Sequence, residues 1–577
     1  MKEQKDIFTK RIFFKLWIPA TISSVGLALG DIADAVVVGQ KMGATGLAAI
    51  SLSLPIYMVI NVFMHSLGLG GSAKFSKLLG EGNEKEAVKG FNGLMLSAVL
   101  LGIFLAFIGN VFLEPILKIL GTVPADGDLF ISTKSYVQVI ITGIPTFFAA
   151  YILNYYLRND NKQKLAAVGF TVANAFDIVL NIIFVLAFDM GAFGAALSTI
   201  IGQIVAIVIY IPGLLGRQGF LRLAISRPRM KEIVSCFCNG FSVSVQYICQ
   251  LVFLLICNRV LMHKTGEEGV AVFDMIQNVS YLILYLFDGT VKAMQPIVST
   301  YCGECREDGK KKIRQLGLKY GLLVGGIVIG CIFIFPQAMC ALFGLTGYAV
   351  EKIGRTALRI YVVGAFFAGI SILLEGYYQA CEREKEAFFL TTLRGTIILI
   401  PCCILFSLAG EESFWLLFPV TEIVSIVLFG LWKKIFGAES KKDEVKIYNA
   451  FINKYCDLAE PIRKAEQFCE ECNADLKQTY FVTMTIEEVC LAIMTQAFTG
   501  QKDECIEITL IAQKNGEFEL HIRDSADKFN PFAMEMSKAE QIENVNLDSM
   551  GMLVIREKAK YFFYRQYQGF NTLVIRI

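Results

Sequence analysis

The chain has 577 residues, 55% of them hydrophobic, and a mean hydropathy of +0.54, which is too long for one ordinary domain and too apolar for a protein dissolved in water. Its 54 Lys+Arg and 52 Asp+Glu leave a net charge of only +2, so no basic excess points to a nucleic-acid partner.

Apolar runs close to or above the ~18–20 residues needed to cross a bilayer as a helix recur from Ile12 to about Trp432 and then stop. The start, Met1-Lys-Glu-Gln-Lys-Asp6, leads into the first run without a small-residue cleavage pattern, so no removable signal peptide is expected. Charged breaks between the runs predict spans at 12–38, 45–73, 91–113, 129–156, 165–188, 191–215, 232–262, 269–298, 315–343, 355–380, 387–409 and 412–432. Loops on one side carry Lys74, Lys77, Lys85 and Lys89, then Arg158, Lys162 and Lys164, a run from Arg217 to Lys231, another from Arg306 to Arg314, and Arg383 with Lys385. The alternate loops offer only Lys41, Lys118, Arg259, Lys264, Lys352 and Arg355. The positive-inside rule makes the first set cytoplasmic, and an even number of spans then places both termini on the cytoplasmic side of the cell membrane.

The two halves repeat one another. Tyr155-Tyr156 recurs as Tyr377-Tyr378 and Gly80 as Gly303, at an offset of about 222 residues. Two six-helix halves in the same orientation, about an axis along the membrane normal, form a recurring plan of secondary transporters. Against that frame several separated motifs stand in order: Asp34-Ala-Val-Val-Val-Gly-Gln40, Gly68-Leu-Gly-Gly-Ser72 with Gly80-Glu-Gly-Asn83, Gly191-Ala-Phe-Gly-Ala-Ala-Leu-Ser-Thr199, and Gln295-Pro296. Together they resemble the multidrug and toxic compound extrusion (MATE) transporters over roughly residues 8–435. Each motif alone is weak, since small-residue runs commonly mark close helix packing.

Ionisable groups at bilayer depth are expensive, and each invites a functional reading. Asp34 falls in the first span; Asp177 and Asn181, at i and i+4, share one face of the fifth. Two carboxylates beside an amide oxygen and a hydroxyl make an oxygen-rich set that suits Na⁺, or that takes up a proton when the acids raise each other's affinity for it. The MATE resemblance implies an N-terminal-half site of Asp34, Asp177, Asn181 and Thr199, although Asp177-Ile-Val-Leu-Asn181 reverses the family's Asn-x-x-x-Asp order. The competing expectation is that these groups simply join helices. In the second half the acidic site of some relatives looks absent, because the seventh span carries no acid. Asp274, Asp288 and Glu375 remain, the last two near the cytoplasmic ends, where solvation or pairing with Lys292 or Arg383 accounts for them.

Sixteen cysteines do not make a disulfide framework here. Cys249, Cys257, Cys331, Cys402 and Cys403 lie in apolar segments and behave as small hydrophobes. Cys302/Cys305 and Cys469/Cys472 are Cys-x-x-Cys pairs, but without a supporting His they are poor evidence for zinc.

Beyond a short polar linker starting at Gly437, residues 437–577 carry 17 Lys+Arg and 23 Asp+Glu, a net −6 that leaves +8 on the membrane part. Electrostatic docking of this acidic tail on the basic loops is therefore reasonable. Alternation at 506–512, 518–523 and 572–577 predicts strands, and 475–498 and 548–560 have helical patterns. The order of these elements, with Glu487-Glu488, Asp524, Phe529-Asn530-Pro531 and Gly551, resembles histidine-kinase-like ATPases of the anti-sigma-factor kinase type. That resemblance implies a nucleotide site at Glu488, Asp524, Asn530 and Gly551, but in decayed form: Ala492 stands where the family has a Mg²⁺-ligating Asn, and Ala526 replaces the Gly of Asp-x-Gly. A methyl group cannot hold Mg²⁺, so ATP turnover is not expected.

The sequence thus predicts an all-α polytopic membrane protein of about twelve helices in two six-helix halves, 8–218 and 228–435, followed by a soluble α+β domain at 437–577. Expected is an antiporter that exports small amphipathic or cationic compounds against Na⁺ or H⁺, needs no bound cofactor, and carries a regulatory tail open to a protein partner. A lipid-linked precursor flippase and a membrane-anchored signalling ATPase are the rivals.

Overall fold

The structure, a computed structural model, describes residues 2–80, 83–160, 162–215, 220–222, 226, 229–408, 410–436, 446–453, 458–498, 504–513, 516–526, 529–531, 547–567 and 570–577. The expected linker at 437–444 lies outside them.

Helices come first, in the order α1 (Lys2–Gly80), α2 (Glu84–Val111), α3 (Leu113–Leu120), α4 (Asp128–Thr142), α5 (Ile144–Asn159), α6 (Gln163–Asn181) and α7 (Gly191–Leu215), then α8 (Met230–Gly303), α9 (Glu307–Ile334), α10 (Pro336–Leu342), α11 (Tyr348–Ala380), α12 (Glu384–Thr392), α13 (Leu399–Ser407), α14 (Glu411–Phe414) and α15 (Leu417–Phe436). Among the described residues nine helices are long and apolar enough to cross a membrane, and α4 with α5, bent by 51° at Gly143, make a tenth. Two of these are far longer than a bilayer requires. Each is broken by a glycine in the left-handed region that side chains avoid, Gly43 (φ 60°) in α1 and Gly266 (φ 65°) in α8.

These two breaks sit 223 residues apart, and Gly80 and Gly303 end α1 and α8, so the sequence repeat is also a repeat of backbone geometry. Expected spans 315–343 and 387–409 are less regular than predicted. The first stops at Ile334 and continues as the short α10, because Pro336 cannot donate to the helix ladder. The second contains a π-helical turn at Leu393–Ile397, matched in the first half by Ile182–Ala187.

The halves meet along the second arm of α1 and the first arm of α8. Ser66 Oγ donates to Ser244 Oγ at 2.7 Å, Ser244 Oγ to the Val62 carbonyl at 3.0 Å, and Asn258 Nδ2 to the Ser51 carbonyl at 2.8 Å. Glycines set this separation: a Cβ at Gly70 would lie 1.9 Å from the Cys236 carbonyl oxygen, and one at Gly240 2.1 Å from that of Ser66. At one end of the bundle Gln40 Nε2 donates to the carbonyls of Ala341 and Leu342 at 2.7 Å, and Lys41 pairs with Asp189 at 3.0 Å. At the other end the basic loops touch one another, as when Asp160 accepts from the Phe220 amide at 2.7 Å and Arg229 bridges Glu86 and Glu232 at 3.0 Å.

The tail joins this basic end. It forms β1 (Lys446–Asn453), α16 (Ala459–Glu471), α17 (Leu476–Ala492), β2 (Cys505–Ala512), β3 (Phe518–Asp524), α18 (Leu547–Lys558), β4 (Tyr561–Tyr567) and β5 (Phe570–Arg576). The antiparallel sheet runs β1-β2-β3-β5-β4. Strand period 2 sorts its side chains: Ile506, Ile508, Leu510, Leu520, Ile522, Leu573 and Ile575 are buried with Cys469, Val482, Ile486 and Ile555 of the helices. The opposite face turns to the membrane part. There Arg306 pairs with Glu507, Arg523 with both Glu304 and Glu507 (3.0 Å to the latter), and the two guanidiniums lie 4.7 and 5.4 Å from the Tyr301 ring. Arg306, Glu304 and Glu507 are each about 2% exposed at the side chain, so this is a dry ion-pair network rather than a solvated surface. A cavity of about 470 Å³ beside it is walled by Ile12 and Leu16 of α1, by α8 from Pro296 to Gly303, and by His521, Phe563 and Val574 of the sheet.

Candidate functional site

The first-half acids do converge. Asn181, fully buried, donates from Nδ2 to Asp34 Oδ1 at 2.7 Å, which ties the first arm of α1 to α6. One turn earlier on α6, Asp177 has the hydroxyls of Ser198 and Thr199 of α7 within hydrogen-bonding reach. Among the described residues Asp177 Oδ1 and Asn181 Oδ1 are buried with no hydrogen-bond partner. Unsatisfied oxygens of this kind are costly, and a proton or a small cation is one kind of partner that would relieve them. All four expected residues, Asp34, Asp177, Asn181 and Thr199, therefore belong to one cluster across three helices. With the order on α6 reversed, it is the Asn181 amide that donates to Asp34, with the Asp177 carboxyl near enough to Asp34 to feel its charge.

Sequence reasoning missed the hydroxyl wall. Tyr57 and Tyr136 lie 3.2 Å apart, oxygen to oxygen, close enough to Asp34 and Asp177 to feel their charge. Both stand in apolar runs and resemble ordinary core aromatics; nothing in their spacing marks them. Ser198, beside the predicted Thr199, was within reach of a helical-face argument.

In the second half Asp288 pairs with Lys292 at 2.5 Å and Glu375 accepts from Gln379 at 3.3 Å, near the end where solvation was expected. Asp274 is 1% exposed, with Asn278 Nδ2 at 3.1 Å from one oxygen and, among the described residues, no partner on the other. A pair overlooked in the sequence is Arg394 of the π-turn with Glu422 of α15, at 2.8 Å. The inventory of membrane acids is thereby corrected to include Glu422.

The expected nucleotide-site residues fall into two groups. Glu488 of α17 packs on Gly551 of α18 so closely that a Cβ there would lie 2.3 Å from its carboxyl carbon. Asp524, 3% exposed at the end of β3, accepts from the Ala526 amide at 2.9 Å and from Asn571 Nδ2 at 2.8 Å. Burial pushes the Asp524 carboxyl up to about 6, opposed by those two hydrogen bonds. Asn530 is half-buried in the short piece 529–531, and Ala492 lies one turn beyond Glu488 on α17. Among the described residues no three His, Cys, Asp or Glu side chains are grouped to hold a metal ion.

The model of the MatE family matches residues 19–186 and again 242–405, more than half of the chain and once in each half. The chain belongs to the MatE family. Relatives agree: it is 24% identical to the multidrug export protein MepA of Staphylococcus saprophyticus over 430 residues, 73% of this chain and 90% of that one. It is 22% identical to MepA of Staphylococcus aureus over 71% and 89% of the respective chains. Among solved structures, an inward-facing MATE multidrug resistance transporter of the MOP superfamily aligns with TM-score 0.65 at 18% identity, over 74% of this chain and 99% of its own. The MATE multidrug transporter DinF-BH, solved in a ligand complex, aligns with TM-score 0.56 at 25% identity, over 74% and 95%. This MATE protein is accordingly a membrane transporter of a multidrug-efflux family, and not an enzyme.

Proposed function

We propose that this MATE protein is a secondary antiporter that exports small amphipathic or cationic organic compounds while Na⁺ or H⁺ moves inward through Asp34, Asp177, Asn181 and Thr199. The observation that carries the proposal is the pair of buried, unpartnered oxygens on Asp177 and Asn181 beside Asp34. A cation or proton bound there stabilises the cluster in one state of the cycle, and only such differential binding shifts the balance between inward- and outward-open forms. In this reading each arm of α1 and α8 crosses the bilayer once, for twelve spans, and the positive-inside rule puts the basic loops and the tail on the cytoplasmic side of the cell membrane.

In this account the tail, 437–577, is a degenerate ATPase-like module that regulates rather than powers transport. Support comes from its sheet, which reaches Ile12 and Leu16 of the first half and Tyr301 and Glu304 of the second. A body seated on both halves biases their rocking. Purified protein in liposomes tests the coupling: export of a cationic dye should follow an imposed inward Na⁺ or H⁺ gradient and cease when that gradient is collapsed. Export that persists without either gradient, or that requires ATP, would refute the proposal.

A further inference from the structure

A cavity of about 190 Å³ opens inside the first half, between the second arm of α1 and helices α5, α6 and α7. Its wall is aromatic, from Tyr151, Tyr155, Phe170 and Tyr210, and none of its lining residues is an acid. Arg158, in the last turn of α5, stands at the end of the cavity nearest the basic loops. Among the described residues its guanidinium has no ion-pair partner, and the groups that feel its charge are the phenols of Tyr155 and Tyr210. The Gln203 amide, deeper in the cavity, likewise makes no hydrogen bond among the described residues.

The rest of the wall is held in place. His65 Nδ1 and the Tyr155 hydroxyl are 2.6 Å apart, and the His65 ring stacks on Tyr247 of the other half at 4.8 Å with 7° between planes. Asn154 Nδ2 is occupied by the Ala166 carbonyl and by Tyr210 Oη, at 3.1 and 2.8 Å. What remains uncommitted is one positive charge and one amide, at the edge of a fixed aromatic slot. The repeat shows that the fold does not demand this charge, because at the matching positions of the second half His65 becomes Asp288 and Arg158 becomes Ala380.

We propose that this cavity takes a small planar aromatic compound bearing an anionic group, with the ring against the tyrosine wall and the anion on Arg158. The proposal rests on the export reading and refines it, since it adds aromatic anions as one class among the amphipathic compounds of that reading, taken at this cavity. The volume, below the ~300 Å³ of typical ligand pockets, restricts the fit to one or two rings. An unpaired guanidinium is the group best shaped for a carboxylate, and stacking on tyrosine is indifferent to the sign of a distant charge.

Equilibrium dialysis of 2-naphthoate, 2-naphthylmethylammonium and 2-naphthalenemethanol against the purified full-length protein, with protein-free micelles as blank, tests this without any ion gradient. The carboxylate should bind about tenfold or more tighter than the ammonium. Arg158→Gln should weaken 2-naphthoate by about tenfold while leaving the neutral alcohol within about twofold, and Arg158→Lys should keep the anion preference. Equal or tighter binding of the ammonium by the wild type, or unchanged naphthoate affinity in Arg158→Gln, would overturn the proposal and leave Arg158 as a solvated boundary charge. If the glutamine variant does not fold, the wild-type ranking and the lysine variant decide. Failure here leaves gradient-driven export through Asp34 and Asp177 intact, whereas loss of that export in the wild type would remove the transport reading whatever the ranking.

Discussion

Single residues divide sharply by how legible they are. Asp34 and Asp177 are conspicuous because a charge in an apolar run is costly, and the i,i+4 rule attaches Asn181 to the same face. Tyr57, Tyr136 and Arg158 carry no such mark, since which side of a helix faces a cavity depends on partners far away in sequence. The tail supplies a residue-scale prediction. The Asp524 carboxyl, at about 6 when folded, sits well above its ordinary value near 3.9, so its protonated form is the better one in the folded tail. Its contribution is fully present below about pH 4 and is lost as pH rises through about 6, a difference of order 2–3 kcal/mol. Thermal or urea melts of the full protein, followed by a tail-specific probe, should show tail stability declining over that window, and Asp524→Asn should flatten the decline.

Elements were placed by apolar length and charged breaks, and their ends were not. The turns at Gly43 and Gly266 fall in the gaps expected between spans, 39–44 and 263–268, and the positive φ at each glycine supplies the break, although the helix otherwise runs on to either side of it. β1 and β4 escaped notice because each borrows its stability from a neighbour: among the described residues they stand at the two edges of the sheet, β1 paired with β2 and β4 with β5. At this scale the glycine contact between α1 and α8 is testable. Gly70→Ala forces a Cβ into the Cys236 carbonyl, so a loss of about 1–3 kcal/mol should lower the melting midpoint in detergent. An unchanged midpoint would mean the arms separate freely. The ion-pair network predicts more. Removing Arg306 leaves Glu507 and Glu304 buried beside one remaining guanidinium, and breaking a buried pair this way costs about 3–5 kcal/mol. Hydrogen exchange across β2 and β3 should rise in Arg306→Ala, while an Arg306/Glu507 double substitution should cost less than the sum of the two single ones.

For the whole molecule, the repeat and the change of composition after Phe436 were enough to point to a two-half helical bundle followed by a segment of helices and strands. How tail and bundle meet was not legible beyond a charge argument. Opposite net charge made electrostatic docking reasonable, and the structure shows a desolvated four-residue network whose two guanidiniums lie near the Tyr301 ring. Since the tail touches both halves but holds none of the proposed coupling residues, a chain ending near Gly437 should still export with ion coupling, at an altered rate. Complete loss of transport in a folded truncated protein would show the tail to be part of the machine. Most direct is a paired flux measurement on Asp34→Asn and Asp177→Asn in proteoliposomes. Both variants should lose gradient-driven export of a cationic dye yet retain dye binding, because the cation ligands are removed and the cavities are not. Wild-type driven export in either variant would contradict the assignment of the buried acids as the coupling site.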